Sequence, residues 1–134
     1  MESAVQQMSN NSLISFQTTN WACVTETEHA GETGVALWRT MQWGNLRVRT
    51  VDYSAGYKAN HWCTKGHILF CLDGELITEL KNGETFTLKP GMSYQVSDDA
   101  SSHRSYTITG ARLFIVDGGF LQSKKTKIQK GIWM

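Results

Sequence analysis

No run in this chain of 134 residues approaches the roughly 18 consecutive apolar residues that a membrane-spanning helix needs. Residues 1–15 are rich in Ser, Asn and Gln, with neither a basic start nor an apolar stretch of signal-peptide length. Cysteine is scarce as well. Cys23, Cys63 and Cys71 are odd in number and too sparse for a secreted disulfide scaffold, which points to a reducing compartment. The expectation is a cytoplasmic protein. Also missing are a Gly-rich phosphate loop, a Ser nucleophile motif, an internal repeat and any convincing helical periodicity.

An excess of charge is absent too, since the formal net charge is +1. Four of the 13 basic residues, Lys124, Lys125, Lys127 and Lys130, fall in the last eleven positions, where there is no acid. The preceding 123 residues carry nine Lys or Arg against 12 Asp or Glu. A mildly acidic body argues against a broad nucleic-acid footprint, and a short Lys run reads as a solvated end. The length fits one domain with a real core. We divide it into an N-terminal arm (1–18), a barrel (19–118) and a basic tail (119–134), with Phe16, Trp21, Phe120 and Trp133 available to pin the arms to the body or to a second subunit.

What the chain does contain is short runs of strand length between turn pairs. Asp73-Gly74 and Asn82-Gly83 favour φ > 0 and suit tight hairpins, and Pro90-Gly91, at the only proline, suits the centre of a type II turn. Strands are expected at 35–41, 46–53, 68–72, 75–80, 84–88, 92–96, 104–108 and 111–116. The first two would be joined near 42–45, the central ones would form a meander, and the last two would form a hairpin about Thr109-Gly110. About eight strands of this kind make an all-β barrel or double-sheet jelly roll.

The residues competent for chemistry converge on the same region. His61 and Cys63 are two apart, so on a strand they share a face. His67 opens the next strand, and His103 follows the run that begins at Gly91. Three imidazoles and one thiolate from separate strands suit one divalent transition metal, with sulfur favouring Zn, Fe or Ni over Mn or Mg. A closed tetrahedral zinc site would be structural, whereas an octahedral iron or nickel site would keep positions open for substrate.

This spacing resembles the cupin first motif, in which a Gly, a His-x-His pair, a Glu and a second Gly follow one another. Here Gly56, His61, Cys63, His67 and Gly74 take those places. The second motif, Gly91 to His103, is looser, with Ser97 and Asp99 where Pro and Gly are usual. The segments Asn60-His61-Trp62-Cys63, Lys65-Gly66-His67-Ile68-Leu69 and Gly91-Met92-Ser93-Tyr94-Gln95 look like the small bacterial cupins named for an Asp/His/Cys/Trp signature, although Asn60 stands where Asp is expected. The likeness runs from about Phe16 to Asp117. It implies a cupin-type double-stranded β-helix, a jelly-roll barrel, with metal ligands at His61, Cys63, His67 and His103.

Two functional classes stay open at this level, beside a third in which the histidines hold no metal and the barrel serves interaction only. One is a metal-dependent dioxygenase or isomerase-like enzyme acting on a small polar metabolite, with no particular catalytic residue assigned. The other is a non-catalytic small-molecule binding or sensing module with a structural metal. The expected partners are a small-molecule ligand or substrate and a second copy of the chain in a homodimer, with neither nucleic acid nor membrane. Among the remaining candidates, Cys71 shares a strand face with His67 and reads as core. His29 lies in a polar connection and reads as exposed. Arg47 and Arg49 share a face, where an inward Arg would offer a fork to a carboxylate but solvent-facing Arg is commoner. Trp38, Trp43 and Trp62 read as packing, and either Tyr94 or Gln95 is expected to line the pocket.

Overall fold

The computed structural model describes residues 14–122. The tail lysines, Trp133 and most of the expected N-terminal arm lie outside the described residues. Among the described residues nine strands follow one another: β1 (Glu26–Ala30), β2 (Val35–Trp43), β3 (Leu46–Tyr53), β4 (His67–Gly74), β5 (Leu76–Leu80), β6 (Thr85–Leu88), β7 (Ser93–Val96), β8 (His103–Tyr106) and β9 (Ala111–Gly118). They form a six-stranded sheet in the order β1-β2-β3-β9-β4-β7 and a three-stranded sheet in the order β6-β5-β8. Among the described residues no helix is long and apolar enough to cross a membrane.

Some turns act as their residues dictate. Trp43 pairs with Leu46 across a two-residue Gly44-Asn45 turn, with Gly44 at φ 61°. A positive φ at the first central position matches the twist of the flanking strands. Asn82-Gly83 closes the β5–β6 hairpin, where Leu80 N–H donates to Glu84 O at 2.9 Å. At Pro90-Gly91 the Met92 N–H donates to Lys89 O at 3.0 Å with Gly91 at φ 95°, a type II turn.

The expected meander and final hairpin are not formed. β4 pairs with β7 and β9, while β5 pairs with β6 and β8, so Asp73-Gly74 carries the chain from the large sheet to the small one. Thr109-Gly110 likewise carries β8, beside β5, over to β9 between β3 and β4. Gly74 and Gly110 have φ of 75° and 117°. The same residues provide φ > 0 for a hairpin or for a crossing, and burial chooses between them. Along β4 the inward side chains are His67, Leu69 and Cys71, and along β9 they are Ala111, Leu113, Ile115 and Asp117. A flat meander would leave that apolar stripe wet. Wrapping brings Leu76 and Leu88 of the small sheet over it, and Leu69, Cys71, Leu76, Val51 and Leu113 are each 2% exposed or less. Each such Leu contributes about 1.5–3 kcal/mol relative to leaving it in water.

A ninth strand, β1, occupies the stretch expected to be a polar connection. Among the described residues it pairs only with β2, as an edge strand, and Glu26, Thr27 and Glu28 keep that edge charged and exposed. His29 is half-buried rather than exposed, because its ring stacks on Trp38 at 3.8 Å between centroids. The outer face of β4 remains apolar, with Ile68, Phe70 and Leu72 exposed by 40%, 38% and 43%.

The barrel is apolar at one end and polar at the other, and register fixes which residues share the polar end. Arg47 lies opposite Asp117 and Arg49 opposite Ile115 across β3–β9. Ile68 lies opposite Val116 across β4–β9, which sets His67 beside Asp117.

Candidate metal and ligand site

The segment between β3 and β4 runs irregularly but is anchored alongside β8. Ala59 N–H donates to Ser105 O at 3.1 Å, and Cys63 and His103 exchange two backbone hydrogen bonds of 2.8 and 3.0 Å. This antiparallel bridge sets Cys63 directly opposite His103, so their side chains emerge together. His67 arrives from the other sheet at the start of β4. The preceding Gly66 fits closely there, since a Cβ at that position would collide with the backbone of Val96, Ser97 and Asp98.

The two buried imidazoles meet at the centre. His67 Nε2 and His103 Nε2 are 3.2 Å apart, and the Tyr94 hydroxyl lies 3.0 Å from His67 Nε2. His103 Nδ1 is 2.9 Å from the Ser101 carbonyl. A carbonyl only accepts, so Nδ1 carries a proton, and in the neutral ring Nε2 is the bare nitrogen facing inward. Behind His67, Asp117 Oδ2 stands 4.0 Å from Nδ1. Asp117 accepts from Arg47 Nε and Nη2 at 3.0 and 3.1 Å and from Arg49 Nη2 at 3.0 Å.

Burial, reinforced by His103 and the Arg49 guanidinium, pushes the pKa of His67 down to about 4, so the ring is neutral at physiological pH. The hydrogen bond from His103 pulls the Cys63 thiol below its usual value against the effect of burial. For His103 burial acts downward, but hydrogen bonds with Cys63 and Ser101 outweigh it and the net direction is up. Burial alone would raise Asp117, and the two arginines overcome it and hold the carboxyl low.

A cavity of about 210 Å³ opens onto this cluster, lined by Cys63, His67, His103, Tyr94, Arg49 and Trp38 among others. On the far side of Tyr94 and His103 lies a second cavity of about 240 Å³, walled by Leu80, Phe86 and Val96. The four residues expected as ligands are therefore not placed alike. His67 and His103 meet, Cys63 faces His103 across the backbone bridge, and His61 lines the same cavity from an exposed position at the rim, its Nδ1 2.7 Å from Asn60 Oδ1. Among the described residues no three His, Cys, Asp or Glu side chains stand as a ready-made metal cluster. The imidazole pair nevertheless fits an ion. Two nitrogens about 2.0–2.1 Å from one metal are about 3.0 Å apart at octahedral angles and about 3.4 Å apart at tetrahedral ones, and the observed 3.2 Å lies between.

Other side chains depart from expectation. Arg47 and Arg49 turn inward, Arg49 being only 5% exposed, because they share the face that carries the core residue Val51 and because Asp117 waits opposite. Asp117 was not singled out by spacing, yet it continues the inward alternation Ala111, Leu113, Ile115 and could be found from that period. Tyr94, rather than Gln95, reaches the histidines. Cys71 is fully buried core. Trp62 lies under the guanidinium of Arg104 at 4.6 Å and near Lys81 at 5.1 Å.

The sequence matches no protein-family model and no curated protein. Solved structures do share the architecture. An RmlC-like cupin from Shewanella frigidimarina aligns with a TM-score of 0.62 at 15% identity, covering 78% of this chain and 91% of that one. Ectoine synthase from P. lautus aligns at 0.60 and 19% identity over 75% and 76% of the two chains. The Fe(II) form of HppE aligns at 0.62 and 15% identity over 76% and 60%. The fold is thus that of the cupins, as the motif spacing implies.

Proposed function

We propose that this chain is a metal-dependent cupin enzyme, of dioxygenase or isomerase-like type, acting on a small polar molecule in the cavity above His67 and His103. The observation that supports the reading is the pair of inward Nε2 atoms 3.2 Å apart, hydrogen-bonded to each other here at a spacing one ion would also span, in a chain whose His67 is held neutral by burial. Cys63, drawn towards thiolate beside His103, is the third donor. The neutral imidazoles and the thiolate form a donor set suited to Zn, Fe or Ni. An iron form of one protein with the same fold lends support to Fe.

Bound there, such an ion would supply Lewis acidity towards a substrate oxygen. The chain's own residues do the rest. Ser101 fixes the tautomer of His103, and the salt-bridged Asp117 backs the His67 ring on its Nδ1 side. With His61 turned to the rim and held by Asn60, three protein donors leave coordination positions open, the condition for chemistry on a bound molecule. A non-catalytic module with a structural metal needs His61 as a fourth donor closing a tetrahedron.

The test is elemental analysis of protein purified without a nickel column. About one equivalent of transition metal per chain is expected. Combined His67→Ala and His103→Ala should remove it while circular dichroism still reports the barrel. Equal metal in a folded double mutant overturns the assignment.

A further inference from the structure

We infer that the molecule bound in this cavity is a small carboxylate, anchored by Arg49, with its apolar part against Leu69 and Ala59. The inference rests on the proposed ligand site above and names its substrate class.

None of the described residues lining the cavity is an Asp or Glu, whereas Arg47, Arg49, Lys65 and Arg104 all line it. Two of those cations are engaged elsewhere. Arg47 gives both Nε and Nη2 to Asp117, and Arg104 gives its terminal nitrogens to Glu79 and Glu32. Arg49 differs. It donates Nη2 to Asp117, yet its Nε is buried and has no hydrogen-bond partner. A buried N–H of a charged group left unpaired is costly, and a ligand oxygen removes that cost.

The surroundings make Arg49 a binding group rather than a structural remnant. Its guanidinium lies 4.3 Å over the Trp38 ring, which fixes the plane of the fork before any ligand arrives. Asp117 offsets only one of the two positive charges behind the cavity, so an anion is favoured there, and Lys65 adds a cation to the wall. A single unpaired N–H on a pre-oriented fork suits a carboxylate, while a phosphate asks for more donors. At about 210 Å³ the cavity is below the range for drug-sized ligands, so the molecule is small. Ala59, Leu69 and the ring of Tyr94 supply the surface for its carbon skeleton.

The experiment measures thermal stabilisation of the full chain, stripped with chelator and separately loaded with zinc. The probes are propionate and benzoate, their neutral isosteres propionamide and benzamide, and inorganic phosphate at matched ionic strength. Saturable stabilisation by the carboxylates alone is expected in both forms. Arg49→Gln should weaken it roughly ten-fold or more, the worth of a charged hydrogen bond. Arg49→Lys keeps the charge opposite Asp117 if the glutamine variant fails to fold, and it too should weaken carboxylate binding, because it lacks the fork. Equal stabilisation by acid and amide, preference for phosphate, or affinity unchanged in a folded Arg49 variant overturns the inference. Loss of carboxylate binding with metal retained sinks only this inference, whereas carboxylate binding by a chain that retains no metal sinks only the metal assignment.

Discussion

Replacing Asp117 with Asn should cost the fold roughly 3 kcal/mol, because it removes the only charge that three buried or half-buried hydrogen bonds converge on. Breaking a buried ion pair from one side costs about 3–5 kcal/mol, since the remaining charge stays behind without a partner. The lower end applies here. The Arg47 side chain is 37% exposed and can turn to water, whereas that of Arg49, at 6%, cannot. With about 2.1 cal/mol/K of unfolding entropy per residue, a loss of that size lowers Tm by roughly 10 °C in a chain of 134 residues. Urea unfolding of the chelator-treated protein, followed by tryptophan fluorescence, gives the number. Adding Arg49→Met to Asp117→Asn should recover part of the loss, because the stranded guanidinium is gone, so the double mutant should cost less than the two single mutants together. A loss below about 1 kcal/mol, or strict additivity in the cycle, would falsify the picture of Asp117 as the clamp that turns both arginines inward.

Acid should weaken the metal-free fold through His67. The unfolded ring takes a proton below its ordinary value of 6.5, while the folded one refuses it until about 4. Stability is therefore fully present above pH 6.5 and falls as the pH drops towards 4, by up to about 3 kcal/mol, a loss that His67→Gln should remove from a plot of Tm against pH. Identical slopes in parent and variant would mean that His67 is not held neutral by burial. Cys63 should be alkylated by iodoacetamide at lower pH than an ordinary thiol, with the site resolved from Cys23 by mass spectrometry, and His103→Ala should move its profile upward. A profile indifferent to His103 would show that the thiol does not depend on that hydrogen bond.

The sequence disclosed the elements more clearly than their pairing. Alternation and turn residues place β2 to β9 within a few positions, because φ > 0 at Gly44, Gly83 and Gly91 is a local demand. Whether Gly74 and Gly110 turn a hairpin or cross between sheets depends on which apolar face needs cover, and no local pattern states that. The edge strand β1 was hidden by its own protection, since Glu26, Thr27 and Glu28 make it read as a loop. At the site, motif spacing singles out His67 and His103, whose Nε2 atoms the fold sets 3.2 Å apart, Cys63, which faces His103, and His61, which stays at the rim. In the sequence Arg49 shares a strand face with Arg47, and solvent-facing Arg is the commoner outcome for such a pair. Its burial follows from Asp117, whose pairing with β3 is a long-range fact. The inward run from Ala111 to Ile115 was the one local sign of that carboxylate.

X-ray absorption on the metal-loaded chain is the most direct test of the central claim, that one transition metal is held by His67, His103 and Cys63. For zinc the account predicts a nitrogen shell at about 2.0–2.1 Å together with a single sulfur at about 2.3 Å. The sulfur should vanish in Cys63→Ser, and the imidazole scattering should fall in His103→Ala. A nitrogen and oxygen shell alone in the parent, or a spectrum unchanged in both variants, would contradict it.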